Sequence, residues 1–116
     1  MNINNAYPTT FGIKISPQLK TELKDSIPQN DLKKINKLIV DKQTNIEQIG
    51  SDSFILDVTK KKNRKNSVLV LKNISTTLKE FIFEGRGRHN IIAAFLSLTD
   101  EEIIRAQKQL GGRHIL

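Results

Sequence analysis

The spacing of apolar residues changes twice along this 116-residue chain, and the two changes set the class of fold it can adopt. Near the N-terminus Leu19, Leu23 and Ile27 recur every four residues. Leu32, Ile35, Leu38 and Ile39 then form a stripe at helical spacing, with Lys33, Lys34 and Lys37 facing the other way. From Ile46 the period becomes that of strands. Ser53 to Thr59, Ser67 to Lys72 and Thr76 to Glu84 are rich in β-branched and aromatic residues and are separated by polar connections. Asn90 to Ser97 is apolar on nearly every side and reads as a buried helix, followed by a second helix with Ile103, Ile104, Ala106 and Leu110.

Grouped helices, then grouped strands, then helices again describe an α+β fold. The predicted sheet is an antiparallel meander of three or four strands, flanked by an N-terminal helical hairpin and two C-terminal helices. Val68 to Leu71 is an unbroken apolar run and is the expected central strand. Phe11, Ile13 and Ile15 alternate with polar residues or glycine, as a short half-buried strand does. Residues 1–10 are expected to be a loosely held arm, and 11–116 a single compact domain.

Local punctuation supports these elements. Ser16-Pro17 is a helix start, because serine caps free amides and proline tolerates the first helical position. Pro28 interrupts the pattern, Asn30 or Asp31 can cap the next helix, and that helix is expected to run to about Lys42. Thr99-Asp100-Glu101-Glu102 has the spacing of a capping box, the sharpest local signal in the chain. Gly111-Gly112 supplies a helix stop.

The chain has no cysteine, which excludes disulfides, thiolate metal sites and a cysteine nucleophile. No apolar run approaches the roughly 18 to 20 residues that cross a bilayer, and the first ten residues lack the pattern of a signal peptide. The expected location is the cytoplasm, although export without a cleaved signal would leave the same sequence. Nineteen Lys and Arg against twelve Asp and Glu give a net charge of +7, which favours acidic partners by long-range attraction.

That charge is concentrated. Five of the six residues from Lys60 to Lys65 are cationic: Lys60, Lys61, Lys62, Arg64 and Lys65. Lys72 and Lys79 follow, with no acid between Asp57 and Glu80. A basic hairpin tip can hold a phosphate backbone through salt-dependent counterion release, and the same charges keep a strand edge soluble. The stretch Gly85-Arg86-Gly87-Arg88-His89-Asn90 joins the last strand to an apolar helix. There Arg86 and Arg88 can grip phosphate, and amides at the helix start can hold an anion. Its glycine spacing matches neither a P-loop nor a dinucleotide fingerprint, and a flexible strand-to-helix turn with exposed arginines is the simpler reading of it.

His89 and His114 stand apart without metal-ligand spacing, so neither a metal nor a cofactor is expected. Asp52 and Asp57 fall on opposite faces of the expected strand, and Asp100, Glu101 and Glu102 are accounted for by capping. Phenylalanines fall mostly on expected core faces, which leaves no evident stacking platform for single-stranded bases.

The leading reading is a non-catalytic module that binds an acidic partner such as RNA or DNA through Lys60, Lys61, Lys62, Arg64, Lys65, Arg86 and Arg88. A second reading is a small ribonuclease-like toxin or effector, with His89 as the proton-transfer group and Arg86 and Arg88 stabilising the phosphate in the transition state. A third is an accessory factor that docks on a protein partner, or on a second copy of itself, through an apolar interface.

Overall fold

The computed structural model describes residues 12–60, 67–74, 76–83 and 90–111. Among these, four helices and a four-stranded sheet follow in the order β1 (Lys14–Ile15), α1 (Pro17–Asp25), α2 (Leu32–Ile46), β2 (Phe54–Lys60), β3 (Ser67–Asn73), β4 (Thr76–Ile82), α3 (Ile91–Ser97) and α4 (Asp100–Gly111), with a 3₁₀ turn at Gln29–Asp31 before α2. This is the α+β architecture expected from the hydrophobic pattern.

The strands lie in sequence order, β1-β2-β3-β4. β2, β3 and β4 form the expected antiparallel meander, with Leu56 opposite Leu71, and Leu71 opposite Phe81. The sheet as a whole is mixed, because β1 runs parallel to β2, pairing Lys14 with Ile55 and Ile15 with Leu56. Two helices intervene between β1 and β2, so the chain returns in the same direction; a tight turn would have reversed it. Phe11, expected in this strand, lies outside the described residues.

Alternation assigns Ile13, Ile15, Phe54, Leu56, Leu69 and Leu71 to one face, and these pack into one cluster with the buried residues of all four helices. Phe95 of α3 is fully buried there, as are Leu19 and Leu23 of α1 and Ile103 and Ala106 of α4. Burying a side chain of this size contributes about 1.5–3 kcal/mol, so this face carries most of the folding free energy. In β3, Val68 and Val70 point to the opposite face and are buried as well. The unbroken run Val68–Leu71 therefore does mark an internal strand, with β2 on one side and β4 on the other.

The second helix differs from its sequence reading at both ends. It continues to Ile46, which is fully buried, and does not stop near Lys42. The 3₁₀ turn leads into it, and Asp31 at the N-cap makes no side-chain capping bond. Of the stripe Leu32, Ile35, Leu38 and Ile39, only Ile39 is buried; Leu32 is 53% exposed and Leu38 47%. α2 packs on α3, and Ile35 is half-buried against the core while Leu32 and Leu38 face solvent. Asp52 lies in the turn before β2, not within the strand.

The end of α2 is docked through backbone. Gly12 N–H donates to the Glu47 carbonyl at 3.0 Å and Ile13 N–H to the Ile49 carbonyl at 2.9 Å. Lys42 Nζ donates to the Leu98 carbonyl, and Asn45 Nδ2 donates to Asp100 Oδ1 at 3.0 Å, so α2 also holds the elbow between α3 and α4. Gly50 has φ +68°, and the Ser51 amide beside it donates to Gln107 Oε1 of α4 at 3.0 Å. A Cβ on Gly12 would overlap the Glu47 and Ile49 carbonyls, which are backbone and cannot rotate away. Gly12→Ala is therefore expected to destabilise the fold by about 1–3 kcal/mol, and Gly50→Ala by a similar amount through its positive φ. Equilibrium unfolding in urea measures both, and an unchanged midpoint for Gly12→Ala would contradict this docking.

Candidate functional site

Of the cationic residues singled out in the sequence, Lys60 is described: it is the last residue of β2, exposed, and opposite Ser67 at the start of β3. Lys61, Lys62, Arg64, Lys65, Arg86, Arg88, His89 and His114 lie outside the described residues. The places where the two basic segments leave the sheet are described, and they are close together. The first segment runs from Lys60 to Ser67. The second follows Phe83, whose amide donates to the Leu69 carbonyl at 3.0 Å, two residues along β3 from Ser67.

At about 3.4 Å per residue, that offset is about 7 Å along the strand, and β2 and β4 flank β3 at about 4.8 Å on either side. Both cationic segments therefore leave the sheet from the same end, because an antiparallel meander places the end of β2, the start of β3 and the end of β4 together. Neither segment alone reveals this in the sequence; the strand register does.

Two other features of the basic reading change once the fold is known. Lys72 is not a free cation: its Nζ lies 3.2 Å from Asp57 Oδ2, and the pair is diagonal across the β2–β3 ladder. The amides at the start of α3, expected to be open to an anion, are engaged by Asn90, whose Oδ1 accepts from Ile92 N at 2.7 Å and Ala93 N at 3.4 Å. An anion at that position would compete with a built-in cap.

Asp57 is the centre of a polar cluster that patterning did not pick out. Ser16 is the only buried polar residue among the described ones, and its Oγ donates to Asp57 Oδ1 at 2.6 Å while accepting from the Leu19 amide at 3.0 Å. The Val58 amide also donates to Asp57 Oδ1, at 2.8 Å. Burial pushes the Asp57 carboxyl up, but the Ser16 hydroxyl, the Val58 amide and the Lys72 ammonium together outweigh it and hold the group below the usual aspartate value. Ser16 is a helix cap spent on structure, and nothing in this arrangement leaves it free as a nucleophile. The signal was the hairpin register: a tip between Lys60 and Ser67 aligns Asp57 with Val70 and brings Lys72 within diagonal reach.

Among the described residues no three His, Asp or Glu side chains are grouped as metal ligands would be, and no helix is long and apolar enough to cross a membrane. Comparison with protein-family models, with curated proteins and with solved structures gives no match.

The lowered Asp57 value makes its contribution to stability fully present above the unfolded-state value of 3.8, and lost as pH falls through the still lower folded value. Ser16→Ala removes a cap and a donor to a partly buried carboxylate, and is expected to cost about 1–3 kcal/mol at neutral pH. In Asp57→Asn the acid limb of stability between pH 5 and 2, about two units around the reference value, should flatten. Urea unfolding across that range reads both effects, and an Asp57→Asn curve parallel to wild type would rule out the linkage.

Proposed function

We propose that this protein is a non-catalytic binding module for nucleic acid, which it holds by the phosphate backbone at one end of its sheet. One observation carries the reading: the strand register makes the cationic segments Lys60–Lys65 and Gly85–Asn90 leave the sheet from a common end. Seven cationic residues belong to that end by chain position: Lys60, Lys61, Lys62, Arg64, Lys65, Arg86 and Arg88. Each that neutralises a phosphate releases a counterion and adds affinity that falls with salt.

The fold supplies a rigid mount for such contacts. β2 and β3 pair over seven residues up to Lys60 and Ser67, and Phe83, just after β4, is buried in the core, so both segments are rooted in ordered backbone. Contacts of this kind position a duplex or strand without reading its bases. Lys72 takes no part, since Asp57 holds it and its removal would leave that carboxylate without its cation.

Fluorescence anisotropy with labelled RNA and DNA at low and moderate salt tests the proposal. Wild type should bind both, with affinity falling steeply as salt rises. Replacing Lys61, Lys62, Arg64 and Lys65 with Ser should reduce the slope of log K against log salt by about 0.7–0.9 for each phosphate that is no longer neutralised. The same number of charges removed from the exposed faces of α1 and α2, at Lys20, Lys24, Lys33 and Lys34, should change it little. Equal losses from the two sets would mean that the overall charge attracts nucleic acid without a site, and no binding by wild type would refute the function.

A further inference from the structure

The large apolar side chains that this fold leaves in solvent are concentrated on one helix. Among the described residues five are more than a third exposed, and three of them lie close together on α2: Leu32 at 53%, Leu38 at 47% and Val40 at 47%. Scattered singly such residues are ordinary, but gathered on one element they mark a surface that another molecule covers. We infer that the outer side of α2 is a docking site for an acidic, amphipathic helix of a protein partner. Its residues are not those of the proposed nucleic-acid site.

α2 faces the core through Ile39 and Ile46, with Ile35 half-buried beside them. At 3.6 residues per turn, Leu38 stands about 100° to one side of Ile39 and Val40 about 100° to the other. Lys33, Lys34 and Lys37 occupy the arc between those two, on the side away from the core, and all three are exposed. Leu32 lies on the Ile39 side of the helix, two turns earlier, and is joined to Leu38 through Ile35, because residues three apart are neighbours on a helix. An apolar margin therefore runs along each side of a cationic strip.

Charge selects the occupant. Lys37 is paired with Asp41 at 3.4 Å, but among the described residues no acid is paired with Lys33 or Lys34. A second copy of this helix would set lysines against lysines, and like charges at close range oppose association. A bilayer takes up helices that offer it a continuous apolar face, and in α2 that face is already buried in the core through Ile39 and Ile46. A partner helix with leucines spaced three and four apart and carboxylates beside them fits both features. Its apolar stripe covers Leu32 and Leu38, and its acids reach Lys34, one turn before Leu38 on the same side.

The probe is a labelled synthetic helical peptide with leucines three and four apart flanked by glutamates, compared by anisotropy with the same peptide carrying lysine for glutamate, using the full-length protein. The acidic peptide should bind and the lysine peptide should not, and the amide shifts it causes in NMR spectra should fall on α2. Leu32→Gln with Leu38→Gln should weaken binding about tenfold, and Lys33→Glu with Lys34→Glu should abolish the preference for the acidic peptide. Glutamine and glutamate are good helix formers, so both double variants should unfold in urea near the wild-type midpoint. Undiminished binding by the leucine variant, equal binding of the two peptides, shifts away from α2, or no binding of the acidic peptide would each overturn the site. So would binding of phosphatidylglycerol vesicles, or self-association in sedimentation, that Leu32→Gln with Leu38→Gln removes while leaving peptide binding unchanged. None of these outcomes bears on the affinity for nucleic acid, which other residues are proposed to carry.

Discussion

The hydroxyl of Ser16 ties the start of α1 to β2 through two hydrogen bonds at once. It lies where β1 becomes α1, accepts the Leu19 amide as the cap of that helix, and donates to Asp57 on the neighbouring strand. The Ser16 amide donates in turn to the Leu56 carbonyl, so both the main chain and the side chain of one residue fasten the start of α1 to β2. Without that hydroxyl the helix loses its cap, and among the described residues Asp57 keeps the Val58 amide and Lys72 as donors in a partly dry site. Buried polar groups are tolerable when their hydrogen bonds are complete, and this cluster is complete.

Asp57 also satisfies the edge of β2 where the pairing with β1 stops. The Leu56 carbonyl points toward β1, so two residues on, the Val58 amide points to the same side, where the chain has already turned away into α1. Its partner is the carboxylate of the preceding residue, Asp57. An unpaired edge donor is thereby satisfied locally, which limits strand addition beside the basic segment. The same residue withdraws Lys72 from the free cations. One carboxylate thus caps the sheet edge and sharpens the boundary between charges that serve the fold and charges that face outward.

Much of this was legible in the sequence where a short-range rule applied. The capping box at Thr99 forms as its spacing implies: Thr99 N–H donates to Glu102 Oε1 at 3.0 Å and Glu102 N–H to Thr99 Oγ1 at 3.1 Å. Ser16 caps α1, with Pro17 in its first turn, and alternation identified the three antiparallel strands. What escaped were relations across distance. Leu32 and Leu38 share a helical face with Ile39, but whether such a face is covered depends on which elements the fold brings against it. The parallel sense of β1, the pairing of Asp57 with Lys72, and the common end of the two basic segments all follow from register, and no window of a few residues contains it. For the basic segments the sequence carried the charge and the fold carried their adjacency.

The mixed sheet has a consequence for the order in which the chain assembles. Asp57 and Lys72 are 15 residues apart along the chain, whereas Ser16 and Asp57 are 41 apart. By loop entropy the longer closure costs about 1 kcal/mol more, so the meander is favoured as the nucleus, with β1 and α1 closing upon it later. In that order Asp57 would pass through two electrostatic environments: paired first with Lys72 on the hairpin and open to water, then desolvated and joined by the Ser16 hydroxyl. The ion pair would then act as a placeholder that orients the carboxylate until its last hydrogen-bond donor arrives.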